Sequence, residues 1–116
     1  MIDMENKTVY SLIVSIVNRG YSDEVMDAAR DAGAKGGTIV YAHGAGLGDT
    51  EKFFGISIHP EKEMVLILSS NEARPAIMRE IVKRVGMETE GAGITFSLPV
   101  SNVEGIARLT NPDAEK

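Results

Sequence analysis

Two short stretches of this sequence could hold a ligand with backbone alone: Gly44-Ala45-Gly46, with Gly48 just beyond, and Gly91-Ala92-Gly93. Glycine admits φ > 0 and lets N–H groups approach a bound group closely. Successive exposed N–H groups form concave anion sites. The same glycines would equally serve tight turns. Neither stretch is a Walker loop, since no Gly-Lys-Ser/Thr follows, and neither is a G-x-G-x-x-G between strand and helix. His43 and His59 bracket the segment between them, as a metal pair, a general base, or two exposed loop histidines. A zinc site takes three or four ligands, and carboxylates such as Asp49 or Glu51 would have to complete it without a spacing motif. The chain has no cysteine, so nucleophiles are confined to Ser and Thr, none in a Gly-x-Ser-x-Gly elbow. Glu61 with Glu63, and Glu88 with Glu90, read as solvated loop charges. Binding rather than catalysis is the expectation. Phe53-Phe54 either packs one ring inward or offers it to a partner, as exposed aromatics do at interfaces.

Composition bounds what such residues can serve. A chain of 116 residues, 43% hydrophobic and 25% charged, suits a single domain with one core. The net charge of −5 argues against nucleic acid, which needs a concentrated basic surface. The N-terminus, Met1-Ile2-Asp3-Met4-Glu5-Asn6, is too polar for a signal peptide. Apolar runs fall far short of the roughly 20 residues of a membrane helix. Together with the missing cysteines, this points to the cytoplasm.

The glycine turns need elements to place them. Residues 8–17, TVYSLIVSIV, are β-branched and nearly continuously apolar, as in a central strand buried on both faces. Ser22 suits a helix N-cap, with Asp23 and Glu24 in the first turn. Val25, Ala28, Ala29 and Ala32 repeat at helical spacing up to Gly33. This face of small residues predicts a helix lying close on a sheet. TIVYA (38–42) is a second strand, FFGISI (53–58) is extended, and MVLIL (64–68) is a further strand. Ser70 or Asn71 caps a second helix carrying Ile77, Met78, Ile81, Val82 and Val85 on one face, with Pro75 in its first turn and Gly86 as its stop. ITFSLPV (94–100) is the last strand. The order is β-α-β-β-α-β, an α+β ferredoxin-like plan with an antiparallel sheet and both helices on one face. The other face is apolar too and needs a cover, which a small domain can obtain by oligomerising.

In this order and spacing the residues resemble the PII nitrogen-regulatory signal-transduction family over roughly 8–107. The resemblance rests on Ser22 through Gly33 to Gly36-Gly37-Thr38, on the Gly-x-Gly at 44–46 opening a long loop, and on Pro60 closing it before an apolar strand. The Gly-x-Gly at 91–93 before an aromatic-bearing last strand completes it. It implies a single domain over 1–116, with an N-terminal extension (1–7), a T-loop (44–59) and a polar tail (108–116). It implies a homotrimer with sheets turned inward and no catalytic activity. A small effector, with the adenine nucleotides AMP, ADP and ATP as candidates, would sit in clefts between subunits. Thr38, His43, Gly44, Ala45 and Gly46 would line one wall, and Gly91, Ala92, Gly93 and Arg108 the other. Lys52, Phe53 and Phe54 would meet a target protein such as a membrane transporter or a metabolic enzyme. No metal belongs to this picture. The CutA divalent-ion-tolerance proteins, trimers of the same fold, are the alternative, with His43 and His59 as ligands.

Against the family pattern, Ile94 replaces the lysine after the second Gly-x-Gly. Gly105 and Ala107 replace two arginines, Gly48 a glutamine, and Glu61 the lysine after the loop proline. The loop is about six residues shorter, and Phe54 stands at the tyrosine that some members modify. Each lost charge-assisted contact is worth roughly 1.5–3 kcal/mol. The expected ligand is therefore smaller or less anionic than ATP, held by backbone N–H groups.

Overall fold

The computed structural model describes residues 9–45, 51–53, 56–58 and 60–105, with backbone only for 51–53 and 56–58. In chain order these form β1 (Tyr10–Asn18), α1 (Ser22–Asp31), β2 (Thr38–His43), β3 (Glu51–Phe53), β4 (Ile56–Ile58), β5 (Glu61–Ser70), α2 (Arg74–Val85) and β6 (Gly93–Val100). The main sheet runs β2-β5-β1-β6, and every neighbouring pair is antiparallel. β1 and β2 are parallel with β5 between them, which is the split β-α-β arrangement expected. The extended run at 53–58 is instead split between two short strands. Lys52 pairs with Ser57 and Phe53 with Ile56, so the chain reverses where a single extended stretch was expected. Phe54 lies outside the described residues.

Side-chain alternation sorts each strand into two faces. Ile13 and Val17 of β1, with Val65 and Ile67 of β5, have no solvent exposure. They pack beneath Val25, Ala28 and Ala29 of α1 and Ile77 and Ile81 of α2, all equally buried. The two alanines let α1 approach the sheet closely, as their spacing predicts. Ser11 and Ser15 share this face and are buried, but each hydroxyl has a partner. Ser11 Oγ donates to Asn71 Oδ1 at 2.6 Å, and Ser15 Oγ to Thr95 Oγ1 at 3.0 Å. Such pairing removes most of the cost of burying a hydroxyl.

The opposite face is open within the chain. Ile94, Phe96 and Leu98 of β6 are 57%, 40% and 46% exposed, and Val40 of β2 is 40% exposed. Leu12, Ile16, Met64, Leu66 and Leu68 beside them are half-buried. β1 is therefore fully buried on one face only, not on both.

The helix starts differ from expectation. Ser22 is the first residue of α1, Tyr21 holds the cap position, and neither the Tyr21 side chain nor any other local one caps the helix. The Ser22 N–H instead donates to Glu63 Oε1 at 2.9 Å. A carboxylate here also opposes the positive end of the helix dipole. At α2 the cap position is Ala73, not Ser70 or Asn71. Ser70 still contributes, because its Oγ accepts from the Ala73 N–H at 3.2 Å. Pro75 falls in the first turn, and Gly86 ends α2 in the left-handed conformation with φ +76°, as expected. Among the described residues no helix is long and apolar enough to cross a membrane.

Candidate functional site

Strand direction brings both glycine turns to one end of the sheet. Asn18 is opposite Lys62, Lys62 is opposite Ala42, and Val17 is opposite Gly93. The ends of β1 and β2 therefore meet the starts of β5 and β6. Gly44 follows one edge strand and Gly91 to Gly93 precede the other, so about 14 Å separates them across three strand spacings.

On the open side of this end, side chains span the gap. Lys62 Nζ donates to Asn18 Oδ1 at 2.7 Å, and Asn18 Nδ2 donates to the Gly91 carbonyl at 3.0 Å. The Lys62 stem lies along Gly44, where an added Cβ would stand 2.8 Å from Cε. The other turn is tighter still. Gly93 has φ +142°, and a Cβ there would stand 2.7 Å from the Ile16 carbonyl oxygen. Gly93 is thus required by backbone geometry and close approach, independently of any ligand.

The turns hold less free backbone than their composition suggests. The Gly44 N–H donates to the Pro60 carbonyl at 2.8 Å, and the Ala92 N–H to the Thr89 carbonyl at 3.2 Å. Two of the N–H groups expected to face a ligand are therefore engaged within the chain.

The helix side of the same end holds a cleft of about 540 Å³ lined by Arg19, Tyr41, His43, Glu61, Lys62 and Glu63 among others. Glu63 is only 6% exposed, not the solvated loop charge expected. Hydrogen bonding from the Ser22 hydroxyl holds its pKa below the usual carboxylate value. Burial works in the opposite direction, while the N–H groups of Ser22 and Gly20 and the charge of Arg19 lower it further. Glu61 ion-pairs with Arg19 at the exposed rim. Tyr41 is 77% exposed on the edge strand β2.

The expected site residues divide accordingly. Gly44, Ala45, Gly91, Ala92 and Gly93 share one end of the sheet. His43 shares that end but belongs to the helix-side cleft. Thr38, at the other end of β2, is about 20 Å from Gly44 along an extended strand and does not join them within one chain. Gly46, Phe54, His59 and Arg108 lie outside the described residues, as do the N-terminal extension and the polar tail. Lys52 and Phe53 are placed by backbone alone, on β3. Among the described residues no three acidic or imidazole groups gather as a metal site would require. Sequence reasoning missed Lys62 and Asn18. The available signal was a charged Glu61-Lys62-Glu63 run entering an apolar strand, where alternation must send the lysine to the face opposite both acids.

Comparison with known proteins agrees with this architecture. A comparison with curated protein sequences gives no match. Among solved structures, the chain is similar to the crystal structure of Arabidopsis thaliana PII bound to citrate. The TM-score is 0.66 at 19% identity, over 89% of this chain and 85% of that one, which is a likeness of fold. The family model for nitrogen regulatory protein P-II matches residues 10–109, spanning β1 through β6 with both glycine turns. On that match, the chain belongs to the nitrogen regulatory protein P-II family.

Proposed function

We infer that this P-II protein is a non-catalytic cytoplasmic regulator, a homotrimer packed through its open sheet faces. A small effector binds at the sheet end carrying Gly44 and Gly91 to Gly93, in the clefts that trimer packing creates. The candidates are adenine nucleotides, with AMP favoured over ATP because the family's phosphate-binding cations are replaced. Binding biases the 44–59 loop, including Lys52, Phe53 and Phe54, between conformations that differ in affinity for a target protein. A membrane transporter or a metabolic enzyme is the class of target. The observation that carries this reading is the uncovered apolar face ending at both glycine turns. An exposed patch of this kind marks an interaction surface, and a ligand at its end would touch each neighbouring copy. Thr38, remote within one chain, joins the site only if a neighbouring copy supplies it.

Two measurements test the reading. Light scattering should return three times the chain mass, and a monomer would overturn the assembly. Calorimetry against AMP, ADP, ATP, cyclic AMP and cyclic di-AMP should show saturable binding to at least one. Silence across the set would overturn the nucleotide assignment.

A further inference from the structure

Among the described residues at this end of the sheet, Lys62 is a cation that no carboxylate neutralises. Its neighbours Glu61 and Glu63 face the other side of the sheet, committed to Arg19 and to Ser22. An ammonium carries three protons to donate. Among the described residues its one partner is the neutral amide oxygen of Asn18. The ammonium therefore keeps donor capacity that no described group takes up. It sits between two turns whose Gly44 and Ala92 N–H groups are already engaged.

We propose that Lys62 receives the anionic group, a phosphate or a carboxylate, of the small ligand held at these turns. The proposal rests on the preceding reading that a ligand binds there, and it names the chemistry that reading left to backbone. Gly44 makes room for it, since a side chain at 44 would collide with the lysine stem. Asn18 is a positioning residue. It accepts from the ammonium through Oδ1 and fixes the Gly91 carbonyl through Nδ2. An arriving anion competes only with an amide oxygen, and a charge-assisted bond is roughly twice as strong as a neutral one. Transfer of the ammonium to the ligand leaves Asn18 free to readjust against the second turn. The two edges of the sheet are then linked through one side chain.

The test uses the full chain as wild type, Lys62→Gln, and Lys83→Gln as a cation removed elsewhere. Calorimetry with AMP should give equal affinity for wild type and Lys83→Gln, and a loss of roughly 10- to 100-fold for Lys62→Gln. Adenosine should bind wild type and Lys62→Gln alike, because it carries no anion. In wild type, inorganic phosphate and succinate should each be followed through the Lys62 ammonium resonance. Whichever moves it identifies the anion class, and this arm needs no variant to fold. If AMP binds Lys62→Gln as tightly as wild type, the lysine assignment falls and the ligand site stands. If an anion moves the resonance but no nucleotide binds, the lysine stands and the nucleotide reading falls. If no anion moves it and AMP does not bind, both fall.

Discussion

The two faces of the main sheet are built from the same strands and end differently. On the helix side, Ile13, Val17, Val65 and Ile67 vanish beneath α1 and α2. The polar groups there are matched one by one: Ser15 with Thr95, Ser11 with Asn71, Glu63 with Ser22. On the open side, most of the alternate residues of those strands stay only half-buried within the chain, Val14 alone being buried, and they run out at Lys62 and Asn18. The difference separates two tasks. One face makes the chain fold, and the other, on the function proposed above, makes it associate and, at its polar end, bind.

Substitutions can break that division, beginning with the one of largest effect. Ile67→Ala removes a fully buried side chain from the helix face and should cost about 2–5 kcal/mol, read as a lower urea midpoint. Gly93→Ala comes next. It forces a Cβ against the Ile16 carbonyl in a backbone conformation that L-residues rarely adopt, and should cost about 1–3 kcal/mol. Both changes should lower stability whether or not the chain associates.

Glu63→Gln should cost about 1–2 kcal/mol, since it weakens a charged acceptor at the start of α1. Its pH dependence follows from sign. The folded pKa of Glu63 lies below its ordinary value of 4.5. The stabilisation is therefore complete above that value and is lost as pH falls through the folded pKa. The gap between wild type and Glu63→Gln in denaturant melts should be constant near neutrality and close in acid. A gap that widened in acid would contradict the capping role.

Leu98→Glu should do little to the fold of a single chain. Far-ultraviolet circular dichroism should be retained, while the mass in light scattering falls to that of the monomer. If instead the mass is unchanged, the two faces do not divide the tasks as described. Arg19→Ala, which breaks an ion pair exposed on both sides, should leave denaturant melts unchanged.

Much of the fold was legible in the sequence because its signals are local. β-branched runs marked β1, β2 and β5, and glycines marked the ends of both helices. The apolar character of β1 on both faces announced that the second face would need a cover. The start of α1 was not legible because Glu63, the group that receives its first N–H, arrives from 41 residues away. The chain reversal between Lys52 and Ser57 was missed because FFGISI reads as one extended run. The site was legible as two turns, but what occupies their N–H groups was not. Gly44 bonds to Pro60 only once the long loop has closed. Lys62 is hidden in the sequence for a related reason: only the pleat of the strand separates it from both neighbouring acids.

The Glu61-Lys62-Glu63 run has one more consequence, for folding. Nine consecutive pairs join β1 to β5, and both strands are apolar on both faces, so hydrophobicity alone would tolerate a shift of one residue. A slip of one residue would reverse the two faces of β5. It would drive the ammonium toward the positive end of α1 and leave Glu63 on the open, apolar face near Ile16 and Ile94. The three charges thus proofread the alignment of the central strands, a penalty on misfolding that the native contacts alone would not reveal.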